Sequence, residues 1–71
     1  MKIILTAHAR VRMEGRKISQ REIEECVLRP DKTHREGEKI CRFQKSFEHG
    51  TIEVVAQTKG NYFIVVTVYP L

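Results

Sequence analysis

The hydrophobic pattern of this chain changes at Pro30, and that change constrains the fold more than any other feature. Before Pro30 the apolar residues recur with helical spacing, as Ile23, Cys26 and Val27 do. After it they alternate with polar residues, as in strands with one buried face. Two short helices cannot bury their apolar stripes on each other alone. We therefore expect both helices to lie on one face of the sheet that follows.

Two helix-start signals precede Pro30. Thr6 can cap a first helix over residues 6–14, and Gly15 is a natural residue for that helix to end at. Ser19 and Glu22 have the spacing of a capping box, which predicts that a second helix begins there. The sequence thus predicts two short N-terminal helices.

The second half of the chain has the pattern of an antiparallel meander. Residues 39–47 and 51–58 alternate between apolar and polar side chains, and glycine-containing turns follow both. Residues 62–69 are an almost continuous β-branched and aromatic run, which is typical of a central strand covered on both faces. We expect these three segments to pair in chain order.

Two shorter segments complete the expected fold. Residues 33–35 are predicted to form a further short strand. Residues 2–5 are expected to form either a strand or a buried extended segment that leads into the first helix. With 71 residues and no repeats or linker, the chain is expected to form a single domain over residues 1–71. The expected class is α+β, with two N-terminal helices packed on one face of a three- to five-stranded, mainly antiparallel twisted sheet.

The net charge of +4 comes entirely from the first half of the chain. Residues 1–35 contain nine Lys or Arg against five Asp or Glu, whereas residues 36–71 contain four of each. Such an asymmetry favours a polyanionic partner. The alternative is an ordinary solvated helical face.

Composition also bears on compartment and cofactors. No apolar run approaches the roughly 18 to 20 residues that cross a bilayer, and residues 1–5 are too short for a signal peptide. We therefore expect a cytoplasmic protein without a membrane partner. Cys26 and Cys41 are expected to be buried free thiols. The histidines lack the short spacing of a zinc site, so no metal and no other cofactor is expected.

His8 is the strongest candidate for acid–base chemistry, because an imidazole can give or take a proton near neutral pH. Arg12 follows it by one helical turn, on the same strip. Arg10, Arg12 and Arg16 can hold phosphate, since guanidinium groups offer paired donors. An imidazole beside fixed cations suits metal-independent cleavage of an RNA phosphodiester. The alternative is that His8 only serves packing at the helix start.

Other polar residues are weaker candidates. Thr67 and Tyr69 can add a hydroxyl to the His8 site if the last strand ends near the first helix, but β-propensity explains both equally well. His34 and His49 are expected to be exposed residues of a strand and a turn.

One resemblance spans nearly the whole chain. It rests on Thr6-x-His8-Ala9-x-x-Arg12-Met13-x-x-Arg16-x-Ile18, the Ser19 cap, Ile23, Pro30-Asp31 and the closing run Val65-Val66-Thr67-Val68-Tyr69. These residues resemble a widespread family of small prokaryotic domains of unknown function. That family is similar to the RelE/ParE toxin superfamily and to other metal-independent ribonuclease folds.

The resemblance implies two N-terminal helices on a twisted antiparallel sheet, in agreement with the pattern. RelE-like toxins cut messenger RNA on the ribosome, whereas ParE-like toxins act on DNA gyrase. A toxin-like domain would therefore have RNA or the ribosome as a partner, together with a cognate antitoxin. The superfamily places its basic residues mostly on strands, where Arg42 and Lys45 are the interior cations of this chain.

Three hypotheses follow. The first is a toxin-like, metal-independent ribonuclease; the second is a non-catalytic module that binds nucleic acid or protein through its basic helical face; the third is a homodimer formed at an exposed strand edge. The catalytic candidates are His8, Arg12, Arg16, Thr67 and Tyr69. The nucleic-acid-binding candidates are Arg10, Arg12, Arg16, Lys17 and Arg42.

Overall fold

A computed structural model describes residues 2–71, and Met1 of the predicted domain lies outside them. The elements are β1 Lys2–Leu5, α1 Ala7–Gly15, α2 Gln20–Leu28, β2 Lys32–Glu36, β3 Ile40–Phe47, β4 Gly50–Lys59 and β5 Tyr62–Pro70. The predicted α+β class is confirmed. Neither helix in this part of the chain is both long and apolar enough to cross a membrane.

The five strands form one mixed sheet in the order β1-β5-β4-β3-β2. The last four strands are the expected antiparallel meander. β1 is a strand and not merely a lead-in, and it pairs in parallel with β5, with Leu5 opposite Val65. Parallel neighbours need a crossover connection. Here the two helices and three strands separate β1 from its partner.

The start of α1 is fixed by Thr6, as predicted. Its hydroxyl accepts from the amide of Ala9 at 3.1 Å, and its own amide donates to the carbonyl of Val65 at 3.1 Å. The cap therefore also ties α1 to β5. α1 ends at Gly15, but the left-handed residue of the turn is Lys17, with φ 56°.

The capping box of α2 is confirmed. The amide of Glu22 donates to the Ser19 hydroxyl at 3.1 Å, and the amide of Ser19 donates to the Glu22 carboxylate at 2.9 Å. Behind this cap Ile18 and Ile23 are both buried in the core. Local sequence therefore determines where the second helix begins.

Both helices pack on the same face of the sheet, α1 over β1 and β5 and α2 over β3 and β4. On α1 only Ala9 and Met13 contact the core, while Val11 is 67% exposed. Cys26 and Cys41 are buried free thiols, as expected. The core is closed by Ile23, Val27, Phe43, Ile52, Val54, Ala56, Val65 and Val68.

The other face of the sheet is not covered by either helix. The expectation that β5 is covered on both faces is therefore wrong, and Val66 on β5 is 38% exposed. A register shift between Val55 and Ala56 accompanies the pairing of β4 with β5. Val65 and Val68 can consequently both face the core although they are three residues apart. The residues next to Val68, Thr67 and Tyr69, then point to the helix-free face.

Candidate functional site

A group of exposed basic residues lies on α1 and the connection that follows it. We call this group the α1 basic face; it consists of His8, Arg10, Arg12, Arg16 and Lys17. All five residues are exposed. Because α1 packs through Ala9 and Met13, its remaining surface is left for these side chains.

The electrostatics of the α1 basic face are one-sided. Glu14 is its only neighbouring carboxylate along the helix, and the first turn of α1 contains no acidic residue. The ion pairs within residues 2–71 take their cations from Arg42, Lys45 and His49, so none involves the α1 basic face. Its guanidinium groups are therefore available to an anion from solution.

The predicted catalytic group is not assembled as one site. His8 and Arg12 share a strip of α1 on the helical side of the sheet, and Arg16 follows them as the C-cap of that helix. Thr67 and Tyr69 lie on the helix-free side, opposite Val55 and Glu53 of β4. The sheet itself separates the two sets, so Thr67 and Tyr69 do not complete a site around His8. The sequence could not show this, because the apolar run of β5 does not alternate.

Tyr69 belongs instead to a polar cluster on the helix-free face, centred on Glu53. The carboxylate of Glu53 accepts from Gln44 at 2.7 Å, from Arg42 at 3.1 Å and from the Tyr69 hydroxyl. Arg42 also donates to Tyr69 at 2.9 Å and to Glu36 at 2.6 Å. Glu53 is only 6% exposed. These donors are what a buried carboxylate requires.

The cluster favours an ionised Glu53. Burial raises the pKa of this carboxyl, but the donations from Tyr69, Gln44 and Arg42 outweigh it, and the pKa lies below its usual value. The hydrogen bond to Glu53 raises the pKa of the Tyr69 phenol. The bonds to Glu36 and Glu53 raise the pKa of Arg42. The cluster is thus a self-satisfied ionic network.

Arg42 was predicted as a nucleic-acid contact, and the structure places it beside a groove. The groove has a volume of about 370 Å³ and is lined by Lys32, Thr33, His34, Arg42 and Gln44. Because Arg42 already pairs with Glu36 and Glu53, little of its charge is left for a phosphate. The groove therefore offers less free positive charge than the α1 basic face.

Sequence reasoning missed Glu53; the expectation that His49 is an exposed turn residue is confirmed, but its partner was not predicted. A single carboxylate inside the apolar run Ile52–Ala56 indicates that hydrogen-bond donors on a neighbouring strand must pair with it. His49 does lie in a turn, but its ring contacts the Glu22 carboxylate of α2. No local pattern relates these two residues, which are 27 positions apart.

Comparison with protein families matches residues 5–70 to one family, described as "Domain of unknown function (DUF4258)". Neither the curated proteins nor the solved structures gave a match. The family match includes α1, α2 and the whole meander, together with the His8-to-Ile18 pattern. The chain therefore belongs to the DUF4258 family.

Proposed function

We propose that this chain binds RNA through the α1 basic face, as a toxin-like domain related to the RelE/ParE superfamily. The observation that carries the proposal is that four exposed cations on α1 and its C-terminal turn form no ion pair with any carboxylate of residues 2–71. Arg10, Arg12, Arg16 and Lys17 form this group, against Glu14 alone.

RNA suits this surface because its phosphates are regularly spaced anions. Arginine binds phosphate through paired donors, and the release of condensed counterions supplies much of the affinity. Along a strip with i, i+4 spacing, Arg12 and Arg16 can reach successive phosphates of a strand that follows the helix. The same chemistry makes binding depend strongly on salt.

Fluorescence anisotropy with a single-stranded RNA tests the proposal. Over a salt series, a plot of the logarithm of the association constant against the logarithm of the salt concentration has a negative slope. The magnitude of this slope should decrease by about 0.7 when Arg12 is replaced by alanine. Arg21→Ala on α2 is the matched control, since Arg21 is also exposed and outside the α1 basic face. Binding that ignores salt, or that both substitutions weaken equally, would count against the proposal.

Cleavage of the bound RNA is the second candidate function. It is favoured by the exposure of His8 one turn before Arg12. In this reaction the imidazole takes the proton of a 2′-hydroxyl, and the 2′-oxygen attacks phosphorus. The bond to the 5′-oxygen breaks, and that oxygen takes a proton from water as it leaves. The products are a 2′,3′-cyclic phosphate and a 5′-hydroxyl end. Arg12 holds the charge that develops on the phosphate oxygens.

Toxicity and cleavage assays separate the two functions. Expression of the wild type should slow growth of a bacterial host, and His8→Gln should relieve the effect while keeping RNA affinity. Purified protein should produce cyclic-phosphate ends in the presence of a chelator. If the wild type and His8→Gln are equally harmless and neither cuts RNA, the domain only binds. A cognate antitoxin, encoded in a neighbouring reading frame, would cover the α1 basic face.

A further inference from the structure

A cleft at the end of α1 gathers basic residues from two distant parts of the chain. It has a volume of about 210 Å³. Arg16 and Lys17 come from the connection between the helices, and His49 comes from the turn between β3 and β4. The other lining residues are mostly apolar or uncharged: Ile18, Gly50, Thr51, Ile52, Pro70 and Leu71.

The imidazole of His49 is held in one orientation at this cleft. Its Nε2 contacts the carboxylate of Glu22, so the pair joins the turn to the capping box of α2. Its ring also stacks on Phe47, with centroids 5.7 Å apart and an interplanar angle of 3°. With Nε2–H donating to this carboxylate, Nδ1 can donate to an anion in the imidazolium form, whose two ring nitrogens are both donors. A ring held on two sides loses little conformational freedom when it binds a further partner.

Lys17 reaches the cleft from an unfavourable backbone conformation. Its φ of 56° lies in the left-handed region, where glycine is the usual residue at the end of a helix. Backbone strain of this kind is concentrated at functional sites. Lys17 thus brings an ammonium group to the cleft at a position where glycine would be less strained.

We propose that this cleft is a phosphate-binding site formed by Arg16, Lys17 and His49. Arginine and lysine supply fixed charge, and the His49 ring, as the imidazolium, supplies an oriented N–H donor. The volume is below the range of pockets that hold drug-sized ligands and is sufficient for one phosphate group. Thr51 adds a hydroxyl to the same wall.

The inference rests on the proposed function only in naming RNA as the source of the phosphate. The cleft continues the α1 basic face past the end of the helix, so a strand bound along Arg12 and Arg16 would reach it. Both a terminal monoester and an internal diester have the required chemistry. The experiment must therefore distinguish them.

The test is an NMR titration of the full chain with inorganic phosphate. The amide signals of Arg16, Lys17, His49 and Thr51 should move together. Lys17→Gly should weaken phosphate binding by about tenfold, as should Arg16→Gln, because each removes a charge-assisted contact. Lys17→Gly also relieves the backbone, so a loss of binding cannot be ascribed to misfolding. Lys39→Ala is the matched control and should bind as the wild type does, because Lys39 lies just before β3, where its carbonyl accepts from Thr58 near the end of β4 that is away from the cleft.

The outcomes are distinct. Equal phosphate affinity in the wild type and Lys17→Gly would overturn the site, as would shifts that do not include His49. A short RNA that binds more tightly with a 5′-phosphate than without one would identify the terminal monoester as the ligand. Equal binding of both, still weakened by Lys17→Gly, would identify an internal diester. If inorganic phosphate binds in the cleft but no RNA binds, the site stands and the proposed function fails.

Discussion

The amide of Ile18 donates to the carbonyl of Met13 at 2.8 Å, and this bond closes the C-terminal end of α1. The amide of Lys17 reaches the carbonyl of Glu14 at 3.3 Å. Together these bonds form a Schellman motif, in which the residue at position 17 takes the left-handed conformation. Met13 and Ile18 also both contact the core. Packing therefore stabilises a turn whose left-handed residue, Lys17, could be replaced by glycine at a lower conformational free energy.

Lys17→Gly should stabilise the protein. A left-handed residue other than glycine costs about 1 to 2 kcal/mol, and glycine loses about 0.5 to 1 kcal/mol of that gain through its greater freedom when unfolded. We expect the free energy of unfolding to rise by about 0.5 to 1 kcal/mol, measured by urea denaturation. Gly15→Ala, two residues earlier, is the comparison for a glycine that ends the helix. A lower stability of Lys17→Gly would show that the ammonium group makes a stabilising contact.

Ser19→Ala should lower the free energy of unfolding by about 1 kcal/mol. The substitution removes the hydroxyl that accepts the Glu22 amide, and this leaves one donor of the first turn of α2 without its partner. A double-mutant cycle with Glu22→Ala, which removes the acceptor for the Ser19 amide, checks whether the two halves of the capping box are coupled. Additive effects of the two substitutions would mean that the box does not act as a unit.

The structural features that the sequence predicts correctly are those encoded by residues close together in the chain. The caps at Thr6 and Ser19 and the inward stripe around Ile23 were predicted, because each is encoded within a few residues. The parallel pairing of Leu5 with Val65 was not predicted, because these two residues are 60 positions apart in the sequence. No turn or alternation marks such a pair.

The candidate site shows the same division. The exposure of His8 and Arg12 follows from helical geometry, which was available from the sequence. The face of Tyr69 could not be assigned, because the register shift at Val55 depends on how β4 pairs with β5. The network around Glu53 depends on that register as well.

Tyr69→Phe should destabilise the fold without changing RNA affinity. It removes a donor to the buried Glu53 and an acceptor for Arg42, which we expect to cost about 1 to 2 kcal/mol of unfolding free energy. RNA affinity should be unchanged, because Tyr69 lies on the face away from α1. Tyr62→Phe is the matched control on the same strand. Reduced RNA binding by Tyr69→Phe at full stability would restore Tyr69 to the functional site.

The ionisation of Glu53 should make the fold sensitive to acid. Its pKa is lower in the folded chain than the ordinary value near 4.3, so its contribution is present above that value. The contribution is lost as the pH falls through the folded pKa. Stability measured from pH 7 down to pH 3 should therefore fall less steeply in Glu53→Gln than in the wild type. Glu25→Gln, which changes an exposed carboxylate, should leave the wild-type slope intact.

The two thiols should react only when the protein unfolds. Cys26 is fully buried, its thiol donates to the carbonyl of Phe43 at 3.3 Å, and burial raises its pKa to about 11. Because the thiolate is the reactive form, an aromatic disulfide reagent should modify the native protein at a rate set by its unfolded fraction. That rate should rise by about fivefold to tenfold in Ser19→Ala, because a loss of 1.4 kcal/mol is a factor of ten in the unfolding equilibrium. It should fall in Lys17→Gly, whereas a cysteine placed at the exposed Val11 should react at once in either background. If one native thiol reacts rapidly and its rate ignores both substitutions, a local opening of the sheet exposes it, and the core is less cooperative than its packing indicates.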